Sequence, residues 1–220
     1  MAVPPRMRRW PSPCLMLITD RTRLRGAPIE TVVSLAVTGG VNAVQLREKD
    51  LSGGEVYRTA VTLHSVVRGR TVFLVNDRVD VALACGADAV HLPEDSLPLK
   101  AAREIAGLSC IIGRSVHSAE AAARAVEDGA DYLIAGTVFE TASKPGTPAG
   151  GLDLVRAVVE AVQAPVIAIG GITPENAGDV IAAGADGVAV ISAILDADDP
   201  KGAAERLRAA IDAAYELPAR

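Results

Sequence analysis

Gly184-Ala185-Asp186-Gly187-Val188-Ala189-Val190 is the stretch that decides the fold, because its pattern occurs four times in the chain. In each copy a glycine and a small residue precede Asn or Asp, and an apolar run follows. The other copies span residues 40–46, 86–92 and 129–135. Glycine can end a helix in the left-handed conformation, so each copy predicts a helix end, a short turn and a buried strand.

A second set of apolar runs precedes the four copies, and a helix-like segment follows each run. These runs span residues 15–18, 72–75, 110–112 and 166–169. The connecting segments predict helices at residues 29–37, 55–67, 79–85, 99–105, 119–127, 152–162, 174–183 and 202–214. Ser118 is expected to cap one of these helices, and Thr173, followed by Pro174, is expected to cap another.

Eight strand-then-helix units with short links predict an α/β fold, a single closed (β/α)8 TIM barrel over residues 14–216. Residues 1–13 are expected to form a flexible N-terminal tail. The alternative is an open doubly wound sheet. A Gly-x-Gly-x-x-Gly motif after the first strand would favour that sheet, and the chain has none there.

The composition agrees with one barrel and excludes several other classes of protein. A length of 220 residues suits a single α/β barrel, and 50% apolar residues exclude a disordered chain. Only 3% of residues are aromatic, so the core is expected to consist of Ala, Val, Leu and Ile. Three widely spaced cysteines without a Cys-x-x-Cys pair favour a reducing cytoplasm over a disulfide framework.

Charge and hydropathy limit the partners that we expect. A formal charge of −5 does not favour nonspecific nucleic-acid binding. No stretch approaches the ~18 uncharged apolar residues of a transmembrane helix, so no membrane partner is expected. Any site for an anion is therefore expected to be local, and the sequence leaves a homo-oligomer open.

Polar residues follow the predicted strands, at the end where barrels carry their active sites. Arg47 and Lys49 alternate along one strand end, so both side chains are expected to face the same way. They suit either a diphosphate ligand or a salt-bridged rim. Lys144, on the long segment 137–150, adds a third cation to this end of the barrel.

Two further features predict binding of phosphate and metal. Gly170-Gly171-Ile172 and Ile191-Ser192-Ala193 follow the seventh and eighth strands, where barrels often bind phosphate, although the glycines could simply turn the chain. Asn76-Asp77 offers an oxygen ligand for Mg²⁺, or Asp77 caps the next helix. Glu94 or Asp95 could supply a second carboxylate. His91 and His117 also lie near strand ends, where structural hydrogen bonding is the more common role.

Several of these stretches together resemble the thiamine-phosphate synthase/TenI superfamily. The resemblance spans about residues 15–200. The stretches that carry it are Val44-Gln45-Leu46-Arg47-Glu48-Lys49, Asn76-Asp77-Arg78-Val79-Asp80, residues 113–118, Thr141-x-Ser143-Lys144, residues 168–176 and residues 184–193. The resemblance implies a (β/α)8 barrel. It also implies a synthase that joins hydroxymethylpyrimidine diphosphate to thiazole phosphate with Mg²⁺ and releases diphosphate.

The resemblance also implies roles for individual residues. Those matching the family's diphosphate-binding set are Arg47, Lys49, Asn76 and Lys144. Those matching its other substrate contacts are Gln45, Ser115, Thr141, Ser143, Gly171, Ile191 and Ser192, the last three forming a thiazole-phosphate site. The residues that the resemblance implies to be catalytic are Arg47, Lys49, Lys144 and Ser115. Asp77 resembles a magnesium ligand, and Asp95 is expected to replace a second family aspartate, because Ser96 stands at that position.

The expected function is therefore a cytoplasmic thiamine-phosphate synthase that transfers a pyrimidinylmethyl group. The first alternative is a TenI-like thiazole tautomerase. The second is a non-catalytic regulatory protein of the same superfamily that binds thiazole phosphate. Residues 113–118 look like the TenI branch, but Thr137 stands where that branch has its acid/base histidine.

Overall fold

Eight parallel strands form a closed barrel in the computed structural model, which describes residues 10–141, 146 and 148–216. Each strand pairs with the next in sequence, and the last pairs with the first. The strands are β1 (Cys14–Ile18), β2 (Ala43–Leu46), β3 (Val72–Asn76), β4 (Ala89–Leu92), β5 (Ile111–Val116), β6 (Tyr132–Gly136), β7 (Val166–Ile169) and β8 (Gly187–Val190). The predicted (β/α)8 barrel is confirmed, and closure between β8 and β1 excludes the open sheet.

Helices follow the strands and surround the barrel. They are α1 (Ile29–Thr38), α2 (Gly53–Val67), α3 (Val79–Cys85), α4 (Leu99–Ala106), α5 (Ala119–Glu127), α6 (Gly151–Ala161), α7 (Ala177–Ala182), α8 (Ser192–Leu195) and α9 (Pro200–Tyr215). None of the helices in this described part of the chain is long and apolar enough to span a bilayer.

Two helix starts test the predicted caps. Ser118 caps α5 as predicted, because its side chain accepts a hydrogen bond from the Ala121 backbone N–H. The prediction for Thr173 is wrong, because α7 begins later, with Asn176 at the N-cap position. The Asn176 side chain accepts from the Thr173 N–H at 2.9 Å, which closes the preceding residues into a separate turn.

The Asn or Asp of each sequence repeat has one structural role, which we call the bracket. The residue makes two hydrogen bonds to one residue of the preceding odd-numbered strand. Its backbone N–H donates to the C=O of that strand residue, and its side-chain oxygen accepts from the N–H of the same strand residue. The four brackets are Asn42 with Leu15, Asp88 with Phe73, Asp131 with Ile112, and Asp186 with Val166, with donor–acceptor distances of 2.7–3.1 Å. The brackets tie each pair of strands together at the amino end of the barrel.

Alternate strand residues fill the barrel interior, as the period of two requires. The interior cluster is Cys14, Met16, Ile18, Ala43, Val72, Leu74, Ala89, Tyr132, Ile134, Ile167 and Ala189. Trp10 closes its amino end by stacking on Tyr132 with ring centroids 4.0 Å apart. The last part of the segment expected to be a flexible tail therefore packs against the barrel.

Candidate active site

A cavity of about 650 Å³ lies at the carboxyl ends of the strands. It continues the inward-facing register of the interior, so each strand contributes its last inward residues. The residues that line it in this way are Ile18, Gln45, Asn76, His91, Ser115, Ile134, Ile169 and Ala189. The cavity therefore has a polar side formed by the strands from β2 to β5 and an apolar side formed by β6, β7, β8 and β1.

Arg47 and Lys49 both line this cavity, which confirms that they face the same way. Glu48 between them is buried on the other side, where it accepts a hydrogen bond from the Thr19 hydroxyl at 2.7 Å. Burial raises the pKa of the Glu48 carboxyl. Neither Arg47 nor Lys49 forms a salt bridge with any residue that the structure describes.

Nearby rim arginines are paired instead. Arg21 binds the Asp50 carboxylate, and Arg23 contacts Asp196 at 2.7 Å. Paired and unpaired cations therefore stand side by side at the same end of the barrel. This contrast favours the ligand interpretation of Arg47 and Lys49 over a salt-bridged rim.

Gln45 and Asn76 form one side of the cavity wall. The Gln45 Nε2–H donates to Asn76 Oδ1 at 2.9 Å. The Gln45 Oε1 is buried and has no hydrogen-bond partner among the described residues. A buried acceptor without a donor destabilises the protein by the free energy of its desolvation. This oxygen is therefore available to accept a hydrogen bond from a ligand.

His91 joins Ser115 to the barrel interior. Its Nε2 is hydrogen-bonded to Ser115 Oγ at 2.8 Å, and its Nδ1 to the Tyr132 hydroxyl at 3.1 Å. Burial, with a smaller effect of Arg114 and Arg47, lowers the pKa of His91 to about 3, so the ring is neutral. The sequence analysis did not identify Tyr132 as a residue connected with the site. The sequence pattern that could have identified it is the alternation along β6, which makes Tyr132 face the barrel interior like the strand-end residues.

His117 differs from His91 in being half exposed. Its Nδ1 lies 2.5 Å from Glu94 Oε2, and both residues line the cavity. Thr137, which stands at the acid/base position of the TenI branch, is buried and also lines the cavity. A threonine hydroxyl does not titrate near neutral pH, so this position offers no acid/base group.

The predicted metal ligands are Asp77 and Asp95, and of these two Asp95 lines the cavity. Asp77 is exposed, adopts a φ of 63°, and accepts a hydrogen bond from the Ser96 hydroxyl. It does not cap α3, because Arg78 occupies the N-cap position and the Asp77 N–H donates to the His91 carbonyl.

Oxygen donors of this kind fit magnesium, which commonly takes one or two carboxylates together with substrate phosphates. No cluster of three His, Cys, Asp or Glu side chains suited to a metal occurs among the described residues. An ion here would therefore complete its coordination with water molecules and with the oxygens of a phosphorylated ligand.

The predicted phosphate side of the cavity consists of Gly171, Ile191 and Ser192, which all line it. Gly171 has a φ of 62°, and an added Cβ would overlap the Glu140 carbonyl and the Phe139 side chain. The glycine therefore both turns the chain and permits a close approach of two loops. Thr141 also lines the cavity. Ser143 and Lys144 lie outside the described residues.

A closed (β/α)8 barrel with two unpaired cations in its carboxyl-end cavity defines an enzyme class that binds anionic substrates. Comparison with known proteins makes this specific. The chain belongs to the thiamine monophosphate synthase family, whose sequence model matches residues 15–194.

Relatives from distant organisms support this membership. The chain is 47% identical over 202 residues to the thiamine-phosphate synthase of Haloquadratum walsbyi, covering 90% of this chain and 91% of that protein. It is 44% identical over 204 residues to that of Chloroflexus aurantiacus, covering 92% and 94%. The solved thiamine phosphate pyrophosphorylase from Pyrococcus furiosus superposes with a TM-score of 0.84 at 44% identity, covering 91% and 96%. The prediction of a transferase of the thiamine-phosphate synthase type is confirmed.

Proposed function

We propose that this enzyme joins hydroxymethylpyrimidine diphosphate to thiazole phosphate and releases thiamine phosphate and diphosphate. The observation that carries the proposal is the pair of cavity cations, Arg47 and Lys49, neither of which forms a salt bridge with a described residue. Two like charges at one cavity wall repel each other, and a diphosphate removes that repulsion. A ligand with several negative oxygens is therefore the natural occupant.

The reaction breaks the bond between the pyrimidine methylene carbon and the diphosphate oxygen. Negative charge grows on the diphosphate while the methylene becomes cationic, and the thiazole nitrogen then forms the new C–N bond. Arg47, Lys49 and Asn76, with Lys144 as a predicted fourth member, stabilise the departing diphosphate. Donors fixed in place before the reaction stabilise such developing charge without reorganisation.

The pyrimidine ring lies against Gln45 and Ser115. An amino group on the ring supplies the donor that the buried Gln45 Oε1 lacks. Ser115, held by His91 at 2.8 Å, presents a hydroxyl to the same ring. The thiazole phosphate binds across the cavity at Gly171, Ile191 and Ser192, on the side that Thr141 also lines, so the thiazole nitrogen can face the methylene carbon. Ser143 is a predicted further contact.

Asp77 and Asp95 would hold magnesium together with diphosphate oxygens. The ion, when bound, would neutralise part of the diphosphate charge. A magnesium titration of turnover tests this assignment. Asp95→Ala is expected to need about tenfold more magnesium, as when one of two protein carboxylates is lost. Asp198→Ala, which changes a fully exposed carboxylate, is the matched control. An unchanged magnesium requirement in Asp95→Ala would remove Asp95 from the site.

The direct test of the reaction incubates the full chain with both phosphorylated substrates and magnesium. Thiamine phosphate and diphosphate are expected in equal amounts, measured by chromatography and by a phosphate assay after pyrophosphatase. Conversion of the thiazole tautomer alone, without thiamine phosphate, would instead support the tautomerase alternative. We place the reaction in the cytoplasm, which is supported by three cysteines that are all unpaired.

A further inference from the structure

Three side chains form a continuous hydrogen-bonded series from the barrel interior to the cavity. The Tyr132 hydroxyl bonds His91 Nδ1 at 3.1 Å, and His91 Nε2 bonds Ser115 Oγ at 2.8 Å. Tyr132 and His91 are almost completely buried, whereas Ser115 lines the cavity. The series therefore has a closed end at Tyr132 and an open end at Ser115.

The closed end determines where each hydrogen atom lies. Tyr132 has one O–H hydrogen, and His91 is its only hydrogen-bond partner among the described residues. If Nδ1 carried the imidazole proton, it would donate to the tyrosine oxygen, and the tyrosine hydrogen would be buried without an acceptor. A buried donor without an acceptor bears the full cost of its desolvation.

The other arrangement satisfies every group in the series. Tyr132 donates to Nδ1, and the proton on Nε2 then donates to Ser115 Oγ. The serine hydrogen cannot return to His91, so it points toward the ligand. A doubly protonated ring would again leave the tyrosine hydrogen without an acceptor, and it would place a positive charge among buried groups next to Arg114.

We propose that Tyr132 and His91 are positioning residues that hold Ser115 as a hydrogen-bond donor toward the substrate. Ser115 then recognises an acceptor atom of the substrate, such as a ring nitrogen or an oxygen of the leaving group, rather than an N–H group. The identity of that substrate rests on the proposed function, but the direction of the two hydrogen bonds among Tyr132, His91 and Ser115 does not.

The surroundings of Tyr132 hold its ring in one place. Trp10 stacks on it from the amino end of the barrel, with an interplanar angle of 20°. On β5, Gly113 provides the necessary space, because a Cβ at this position would overlap the tyrosine ring. The glycine of the sequence stretch 113–118 is thus explained by the ring on the neighbouring strand. A ring fixed on two sides can aim its hydroxyl at His91 without searching for other partners.

Nitrogen-15 NMR of histidine-labelled protein tests the direction of the hydrogen bonds without substrate. The chain has only three histidines, so His64→Gln and His117→Gln assign the signals of His91 by elimination. At pH 7.5 the proposal expects Nε2 protonated and Nδ1 unprotonated. Tyr132→Phe keeps the ring and its stacking but removes the donor, so the Nδ1 signal should move further from the position of a protonated nitrogen. Protonated Nδ1 in the unmodified protein would overturn the proposal, as would an Nδ1 signal that Tyr132→Phe leaves in place.

Kinetics test the consequence for Ser115. Tyr132→Phe is expected to lower kcat about 3- to 10-fold, the effect of losing one hydrogen bond, without changing KM for thiazole phosphate. Tyr57→Phe removes the same atom from an exposed tyrosine of α2 and is the matched control. His91→Gln keeps a side-chain N–H for Ser115 and should retain more kcat than His91→Leu. Equal kcat values for these two variants would contradict the positioning role, whereas an absence of thiamine phosphate in every protein would refute the proposed function and leave the NMR result valid.

Discussion

The two ends of the barrel use polar side chains in opposite ways. At the amino end, the brackets bond the polar side chains Asn42, Asp88, Asp131 and Asp186 to strand backbone. At the carboxyl end, Arg47 and Lys49 have no ion-pair partner among the described residues, and the Gln45 Oε1 accepts no hydrogen bond. Groups that are satisfied within the chain stabilise it, and groups without partners are available to a ligand. Substitutions at the first end should therefore change stability, and those at the second should change turnover.

The largest expected effect is at the carboxyl end. Arg47→Ala should lower kcat by about 10²–10³-fold, because one charged donor to the departing diphosphate is lost. Lys49→Ala should have a similar effect, and the melting temperature of both variants should stay close to that of the unmodified protein. Steady-state kinetics and calorimetry measure the two quantities. Arg58→Ala, on the exposed side of α2, is the control for removing a positive charge. Turnover by Arg47→Ala at the rate of the control would contradict the diphosphate assignment.

The next effect is at the amino end. Asp186→Ala removes a charged acceptor from the Val166 N–H and should reduce the free energy of unfolding by about 1.5–3 kcal/mol. For a chain of this length the melting temperature should fall by about 3–10 °C, with kcat at 25 °C unchanged. Asp186→Asn keeps the acceptor and should lose much less stability, because Asn42 occupies the same place in the first bracket. Equal losses in the Ala and Asn variants would mean that the bracket contributes little.

The buried ring of His91 should make the free energy of unfolding depend on pH. Its pKa is lowered from 6.5 to about 3 in the folded protein, so between these values the unfolded chain binds one more proton. Stability is therefore lost as the pH falls from 6.5 toward 3, with a slope of about 1.4 kcal/mol per pH unit from this residue. Comparing unfolding free energies of the unmodified protein and His91→Gln between pH 7 and pH 5 isolates its contribution. His64→Gln is the control, and an identical pH slope in His91→Gln would contradict the buried neutral ring.

The smallest effect is expected at the exposed histidine of the cavity. His117 and Glu94 form a solvent-exposed pair, which contributes only about 0–1 kcal/mol. His117→Gln should therefore keep synthase turnover within about threefold of the unmodified value. A steady-state assay with both substrates measures this ratio. Loss of most activity would instead give His117 an acid/base role of the kind expected for a tautomerase.

The sequence predicted the barrel because its signal is periodic and local. Gly184 and its three counterparts end helices, and the apolar runs beside them have the length of buried strands, so eight units could be counted directly. The start of α7 was misjudged because Thr173 and Asn176 can both act as caps. The choice between them depends on the turn that the Asn176 side chain closes.

The candidate site was predicted only in part, for a different physical reason. Arg47, Asn76 and Ser115 could be identified because each lies at the end of a recognisable strand. The contact between Tyr132 and His91 joins residues 41 positions apart, and it exists only because the strands close into a barrel. Whether Arg47 is paired depends likewise on neighbours from other strands. The roles of Ser143 and Lys144 stay predictions.

The stack of Trp10 on Tyr132 also gives the protein a built-in optical probe. Trp10 is the only tryptophan of the chain, so the intrinsic indole fluorescence comes from a single site at the amino end of the barrel. Tyr132 lies within van der Waals range of this indole and can transfer excitation energy to it. The emission therefore reports whether Trp10 remains stacked on Tyr132. Because the cavity opens at the opposite end and Trp10 is not among its lining residues, a bound substrate does not quench the indole by direct contact.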